Sequence, residues 1–182
     1  MPGLGFVARQ PSENVFGYEL LCRDGLENYF QSSDADAASR STVDSSLLIG
    51  LDLLCDGPRA FVNCTRDVLL KDYVTLLPSH QTMVEVLESV QVDEPVLTAC
   101  QGLKEAGYLI ALDDFGINDS GEHLIELCDI IKVDMRATSA VDRVALLKRQ
   151  GPWPCRMLAE KVETGRNSSP PAIRAFFIFN VM

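Results

Sequence analysis

Seven short apolar runs punctuate the chain, at residues 6–9, 15–22, 60–63, 83–87, 108–112, 130–133 and 157–159. Each is strand-length, and between them apolar residues recur at helical spacing. Val43, Leu47, Leu48, Leu51 and Leu54 form one such stripe, stopped by Gly57 and Pro58. Val96, Ala99, Cys100 and Leu103 form another, opened by Asp93 and Pro95 and closed by Gly107. Ser139, three residues before Asp142, has the spacing of a cap for a helix carrying Val144 and Leu147. Apolar strands that alternate with helices call for a parallel sheet covered on its outer face. Residues 11–14, "PSEN", join the first two runs so tightly that an antiparallel hairpin is expected there. No repeat, low-complexity stretch or linker interrupts the pattern, so residues 1–182 are expected to form a single domain.

Most of these runs end on a side chain that can supply oxygen or charge. They deliver Glu19 ("YELL"), Asn63 ("FVN"), Glu88 ("MVEVLE"), Asp113 with Asp114 ("LIALDD"), Lys132 with Asp134 ("IIKVD") and Glu160 ("MLAE"). From Glu19 through Asn63, Glu88, Asp113 and Asp134 to Glu160 the intervals are 44, 25, 25, 21 and 26 residues. After the first, each is about one β-α unit, which brings successive polar residues to the same end of the sheet. In a β/α barrel that end is the catalytic mouth. Gathered carboxylates repel one another unless a cation neutralises them, and hard ions such as Mg²⁺ or Mn²⁺ prefer carboxylate and amide oxygens. Glu19, Asn63, Glu88 and Asp113 make an all-oxygen set for one ion. Adjacent Asp113 and Asp114 could hold two, the geometry of two-metal phosphodiester hydrolysis, with Lys132 polarising a water.

The plainer reading is capping, because Asp or Asn after a strand commonly caps the next helix, and for Asp114 alone it is the stronger one. Glu85 reads as a structural partner for a basic residue such as arginine. Capping gives no reason, however, for Glu19 or Lys132 within their strands. His80 and His123 have no second ligand nearby in sequence and are expected at the surface.

Composition narrows the partners. The 182 residues carry a formal charge of −10, which disfavours nucleic acid and anionic lipid, and no basic cluster offsets it. The six cysteines are far apart with no C-x-x-C pair, as expected of reduced thiols in a cytoplasmic protein. No signal peptide is evident, and no apolar run approaches the roughly 18 residues that span a bilayer.

Taken in order, "YELLCR" (Glu19, Leu21, Arg23), "FVN", "EVLE", "ALDDFG", "IKVD" and "AEKVET" resemble the motifs of EAL domains, the cyclic di-GMP phosphodiesterases. "RQP" at residues 9–11 is similar to that family's opening segment, and the flavour is nearest to EAL domains followed by an HDOD domain. The resemblance covers about residues 6–164 and leaves 165–182 as a divergent tail. It implies an α/β fold: a TIM-like barrel of the EAL type with an antiparallel first strand. It further implies Glu19, Asn63, Glu88 and Asp113 as metal ligands, with Asp114 and Asp134 serving a second metal or its water. Lys132, Asp134 and Glu160 would complete the catalytic centre, Arg23 and Gln10 would contact substrate, and Glu163 would brace the loop after the aspartate pair. The implied cofactor is Mg²⁺ or Mn²⁺, and the implied reaction is hydrolysis of cyclic di-GMP to linear pGpG.

Three departures qualify that expectation. The loop "INDSGEHL" differs from the family's pattern, which counts against the second metal position. No Q-G-Y/F segment follows "VET", and a full barrel of this kind takes roughly 250 residues. The expectation is therefore a C-terminally truncated barrel with an incomplete end, its open edge either covered in a homodimer or leaving the domain marginally stable. Turnover is expected to be weak or lost, and the alternative is an inactive module that binds cyclic di-GMP or docks a partner.

Overall fold

A computed structural model describes residues 2–9, 15–22, 35–113, 122–139, 141–142, 155–161 and 174–179. Its strands are β1 (Pro2–Arg9), β2 (Val15–Cys22), β3 (Arg59–Cys64), β4 (Thr82–Val86), β5 (Leu109–Leu112), β6 (Ile130–Asp134), β7 (Arg156–Glu160) and β8 (Arg174–Phe179). They are hydrogen-bonded in sequence order into a closed barrel. Six consecutive strands, β2 to β7, run parallel. β1 pairs antiparallel with β2 and parallel with β8, and β8 pairs antiparallel with β7.

The fold is a truncated EAL-like one, and β8 closes its sheet at the C-terminal end. Residues 174–179, "RAFFIF", are rich in aromatic and β-branched side chains, which favour a pleated strand. This strand fills the gap between β7 and β1, so the open edge from which a dimer was inferred does not exist.

Helices α1 (Ala35–Ile49), α2 (Leu51–Cys55), α3 (Arg66–Leu70), α4 (Glu94–Glu105) and α5 (Glu122–Leu127) occupy the connections. α4 follows its sequence signals closely. The Asp93 side chain caps the N–H of Val96 at 3.2 Å, Pro95 sits in the first turn, and Val96, Cys100 and Leu103 are buried. The first stripe behaves differently. Gly50, at φ 87°, separates α1 from α2 and resets the helical phase. Val43 and Leu51 are buried, whereas Leu47 and Leu48 are 43% and 87% exposed. Cys55, Cys64, Cys100 and Cys128 are free and buried, and Cys155 is buried as well. Among the described residues no helix is long and apolar enough to cross a membrane.

Strand alternation decides what enters the barrel, because every second side chain points to the same face. Phe61, Met83, Ala111, Ile130 and Leu158, one from each of β3 to β7, pack together as a floor. β2 contributes Gly17 at the corresponding place. A Cβ there would meet the Phe61 ring at 2.7 Å and the Arg59 carbonyl oxygen at 2.6 Å, so only glycine leaves room for that ring.

Candidate active site

Two residues beyond each floor position, the same alternation presents Glu19, Asn63, Glu85, Asp113, Lys132 and Glu160. All six come from the C-terminal halves or ends of parallel strands, where the register holds Asn63 beside Glu85 on adjacent strands. This is the rim layer of the barrel. It is polar for a geometric reason, being the next storey above an apolar floor.

Lys132 is its centre. The side chain is 4% exposed, and its Nζ pairs with Glu85 Oε1, with Glu160 Oε1 at 2.8 Å, with Asp113 Oδ1 at 3.1 Å and with Glu19 Oε2 at 3.8 Å. The Glu160 contact is close but off the direction of a hydrogen bond, and Oε1 has no hydrogen-bond partner. The Asn63 amide donates from Nδ2 to Glu19 Oε1 at 3.1 Å, and its Oδ1 is buried without a hydrogen-bond partner.

Four carboxylates thus face one ammonium. Burial raises the Glu85 pKa well above the usual carboxylate range, opposed by Lys132 and reinforced by Glu19 and Asp113. Burial likewise pushes Glu160 up to about 7, again with Lys132 opposing. For Lys132 burial acts downward, but the surrounding carboxylates, Glu85 foremost, hold its pKa well above that of an ordinary lysine. The ammonium is therefore a fixed charge, and the carboxylates around it are under-neutralised.

A divalent cation suits what remains. Asn63 Oδ1 and Glu85 Oε2 are buried acceptors without a hydrogen-bond partner, side by side in register. With the Glu19 and Asp113 carboxylates they make an all-oxygen donor set of the kind hard cations select. Among the described residues no ready-formed group of three or more His, Cys, Asp or Glu side chains surrounds a single vacant point, because Lys132 sits between the acids.

The positions expected from sequence are only partly brought together. Glu19, Asn63, Asp113, Lys132 and Glu160 converge. Glu88 lies two residues beyond the end of β4, is exposed, and makes no hydrogen bond or ion pair with the cluster among the described residues. Glu85 takes that place: it is 0% exposed, and its partner is Lys132 rather than an arginine. The signal was available in the strand itself, since Glu85 is two residues after the floor residue Met83 whereas Glu88 has left the strand. Asp134 is buried at the end of β6 but turned to other partners. Its Oδ1 accepts the N–H groups of Arg136 at 2.7 Å and Ala137 at 3.2 Å, and its Oδ2 accepts from Lys161 Nζ. Gln10, Arg23, Asp114 and Glu163 lie outside the described residues. His80 and His123 are exposed.

A closed α/β barrel with a carboxylate-rich rim at the C-terminal ends of its parallel strands defines the class: a TIM-like domain with an acidic polar mouth. No protein-family model matches the chain. It is 36% identical over 184 residues to YuxH, an uncharacterized protein of Bacillus subtilis, in a match covering 96% of this chain and 45% of YuxH. It is 37% identical over 169 residues to the cyclic di-GMP phosphodiesterase CdgJ of Vibrio cholerae, covering 87% of this chain and 39% of CdgJ. The chain therefore spans less than half the length of these relatives. Among solved structures, the fold is similar to Bacillus subtilis YkuI, a protein with an EAL domain in complex with cyclic di-GMP and calcium. That likeness has a TM-score of 0.66 at 21% identity and covers 90% of this chain and 48% of YkuI. The chain thus has an EAL-like fold.

Proposed function

We propose that this EAL-type domain binds cyclic di-GMP in the barrel mouth and, with a divalent cation such as Mg²⁺ or Mn²⁺, opens it to linear pGpG. The observation that carries the reading is the convergence of Glu19, Asn63, Glu85 and Asp113 on one rim around Lys132, two of them offering unpaired buried oxygens. The phosphodiesterase CdgJ and the substrate-bound YkuI support the choice of ligand.

Glu19, Asn63, Glu85 and Asp113 would hold the cation, which when bound supplies positive charge at the phosphate and lowers the pKa of water. Lys132 presents its ammonium to the phosphate oxygens on which negative charge grows. Glu160, with its carboxyl near 7, can accept a proton from the attacking water at neutral pH. Glu88, placed outside the cluster, has no part in cation binding in this reading. Asp114, Arg23, Gln10 and Glu163 remain assigned as the family resemblance implies: Asp114 to the metal site, Arg23 and Gln10 to the nucleotide, and Glu163 to the loop. The domain is taken to work in the cytoplasm as one unit over 1–182. A homodimer, if formed, would bury the exposed Leu48 and Leu53 rather than a strand edge.

The test is incubation of the purified chain with cyclic di-GMP and Mn²⁺, followed by chromatography for pGpG. Slow production of pGpG that Glu19→Ala and Glu85→Gln both abolish is the expected result. Tight binding of cyclic di-GMP with no pGpG would establish the non-hydrolysing alternative, which the engagement of Asp134 elsewhere favours. Neither binding nor product would refute both.

A further inference from the structure

Resting on the metal-binding reading above, we propose that Lys161 acts as a built-in counter-charge that withholds Asp134 from metal coordination, so that the rim takes one divalent cation rather than two. The contrast with the neighbouring cluster carries the argument. Around Lys132 four carboxylates share one ammonium, and three buried oxygens, Asn63 Oδ1, Glu85 Oε2 and Glu160 Oε1, have no hydrogen-bond partner. Around Asp134 one carboxylate has one ammonium and two backbone N–H donors. The charge of Asp134 is already balanced and its lone pairs are largely spent.

The backbone of Lys161 reinforces this. Its φ is +54°, in the left-handed region that non-glycine residues rarely adopt. The other described non-glycine residues in that region are Asp56 and Asp72, whose short polar side chains tolerate it. Lysine has no such local compensation, so its conformation is held by its surroundings. It directly follows Glu160, which is the register partner of Asp134, and the N–H of Met135 donates to the Glu160 carbonyl oxygen at 3.1 Å. The turn after β6 and the end of β7 are therefore tied together at the point where Lys161 reaches back. The same ties support Asp134 as a carboxylate, whose pKa lies below the ordinary value because the Lys161 and backbone N–H bonds outweigh burial.

Without the ammonium, Asp134 and Glu160 would be adjacent carboxylates on neighbouring strands, able to recruit a cation of their own. The experiment counts bound Mn²⁺ on the chelator-stripped full chain, using the paramagnetic resonance signal of the free ion. Wild type is expected to bind one equivalent, Asp134→Asn still one, and Lys161→Met two. Two equivalents in wild type, or one in a folded Lys161→Met, would overturn the proposal. Loss of binding in Asp134→Asn would overturn it as well, and that variant keeps the test decisive should Lys161→Met not fold. Zero equivalents in wild type would instead remove the metal site of the functional reading, a failure distinct from a wrong count.

Discussion

The floor and the rim of the barrel are built by the same strands, two residues apart, yet they solve opposite problems. Gly17, Phe61, Met83, Ala111, Ile130 and Leu158 fill space with neutral atoms, and the one glycine is required by the shape of its neighbour. Glu19, Asn63, Glu85, Asp113, Lys132 and Glu160 take the next step along each strand and leave charge unbalanced and acceptors unpaired. A buried layer that only served folding would not be assembled this way, because under-neutralised carboxylates cost stability that an apolar layer would supply. The difference between the storeys therefore separates what folds the domain from what the domain is for.

The sharpest way to break that contrast is to remove the cation holding the rim together. Lys132→Met leaves four acidic side chains without their shared partner, and loss of one member of a buried ion pair costs about 3–5 kcal/mol. Urea denaturation in the presence of chelator should show a loss of that size. An unchanged midpoint would mean that the acids are not held by Lys132. On the floor the perturbation is steric. Gly17→Ala forces its new methyl against Phe61 and the Arg59 carbonyl, an overpacking cost of about 1–3 kcal/mol. Its stability loss should be independent of added Mn²⁺, unlike that of the rim variant.

A further effect is a pH dependence that only the rim should show. A carboxyl raised in the folded state binds its proton more tightly there than in the unfolded chain. Glu160 should therefore disfavour folding progressively as pH rises from about 4.3, the ordinary glutamate value, to about 7. Metal-free protein should lose stability over that interval and Glu160→Gln should lose less, whereas Gly17→Ala should keep the wild-type slope. Thermal unfolding across the pH series reads this directly, and identical slopes for all three proteins would count against a buried, perturbed Glu160.

Much of the fold could be read in the sequence because parallel strands announce themselves as apolar runs, and α4 because Asp93, Pro95 and Gly107 punctuate it. Sequence spacing also brought Glu19, Asn63, Asp113, Lys132 and Glu160 to one end. It missed Glu85, because motif likeness and interval counting both accept Glu88 equally well, whereas side-chain parity within β4 accepts only Glu85. It overrated Leu47 and Leu48, because a stripe continued through Gly50 ignores the break in helical phase there. It also passed over β8: "FFIF" is a strand signal on its own, but its departure from the family pattern drew attention away from its chemistry. The engagement of Asp134 with Lys161 depends on a left-handed turn that no sequence spacing reveals.

Anomalous diffraction from Mn²⁺-soaked crystals tests the central claim most directly. An ion peak within coordination distance of Asn63 Oδ1 and Glu85 Oε2, flanked by the Glu19 and Asp113 carboxylates, is the predicted result. A clean map with no peak on that rim, at a Mn²⁺ concentration that fills sites elsewhere in the crystal, would contradict it.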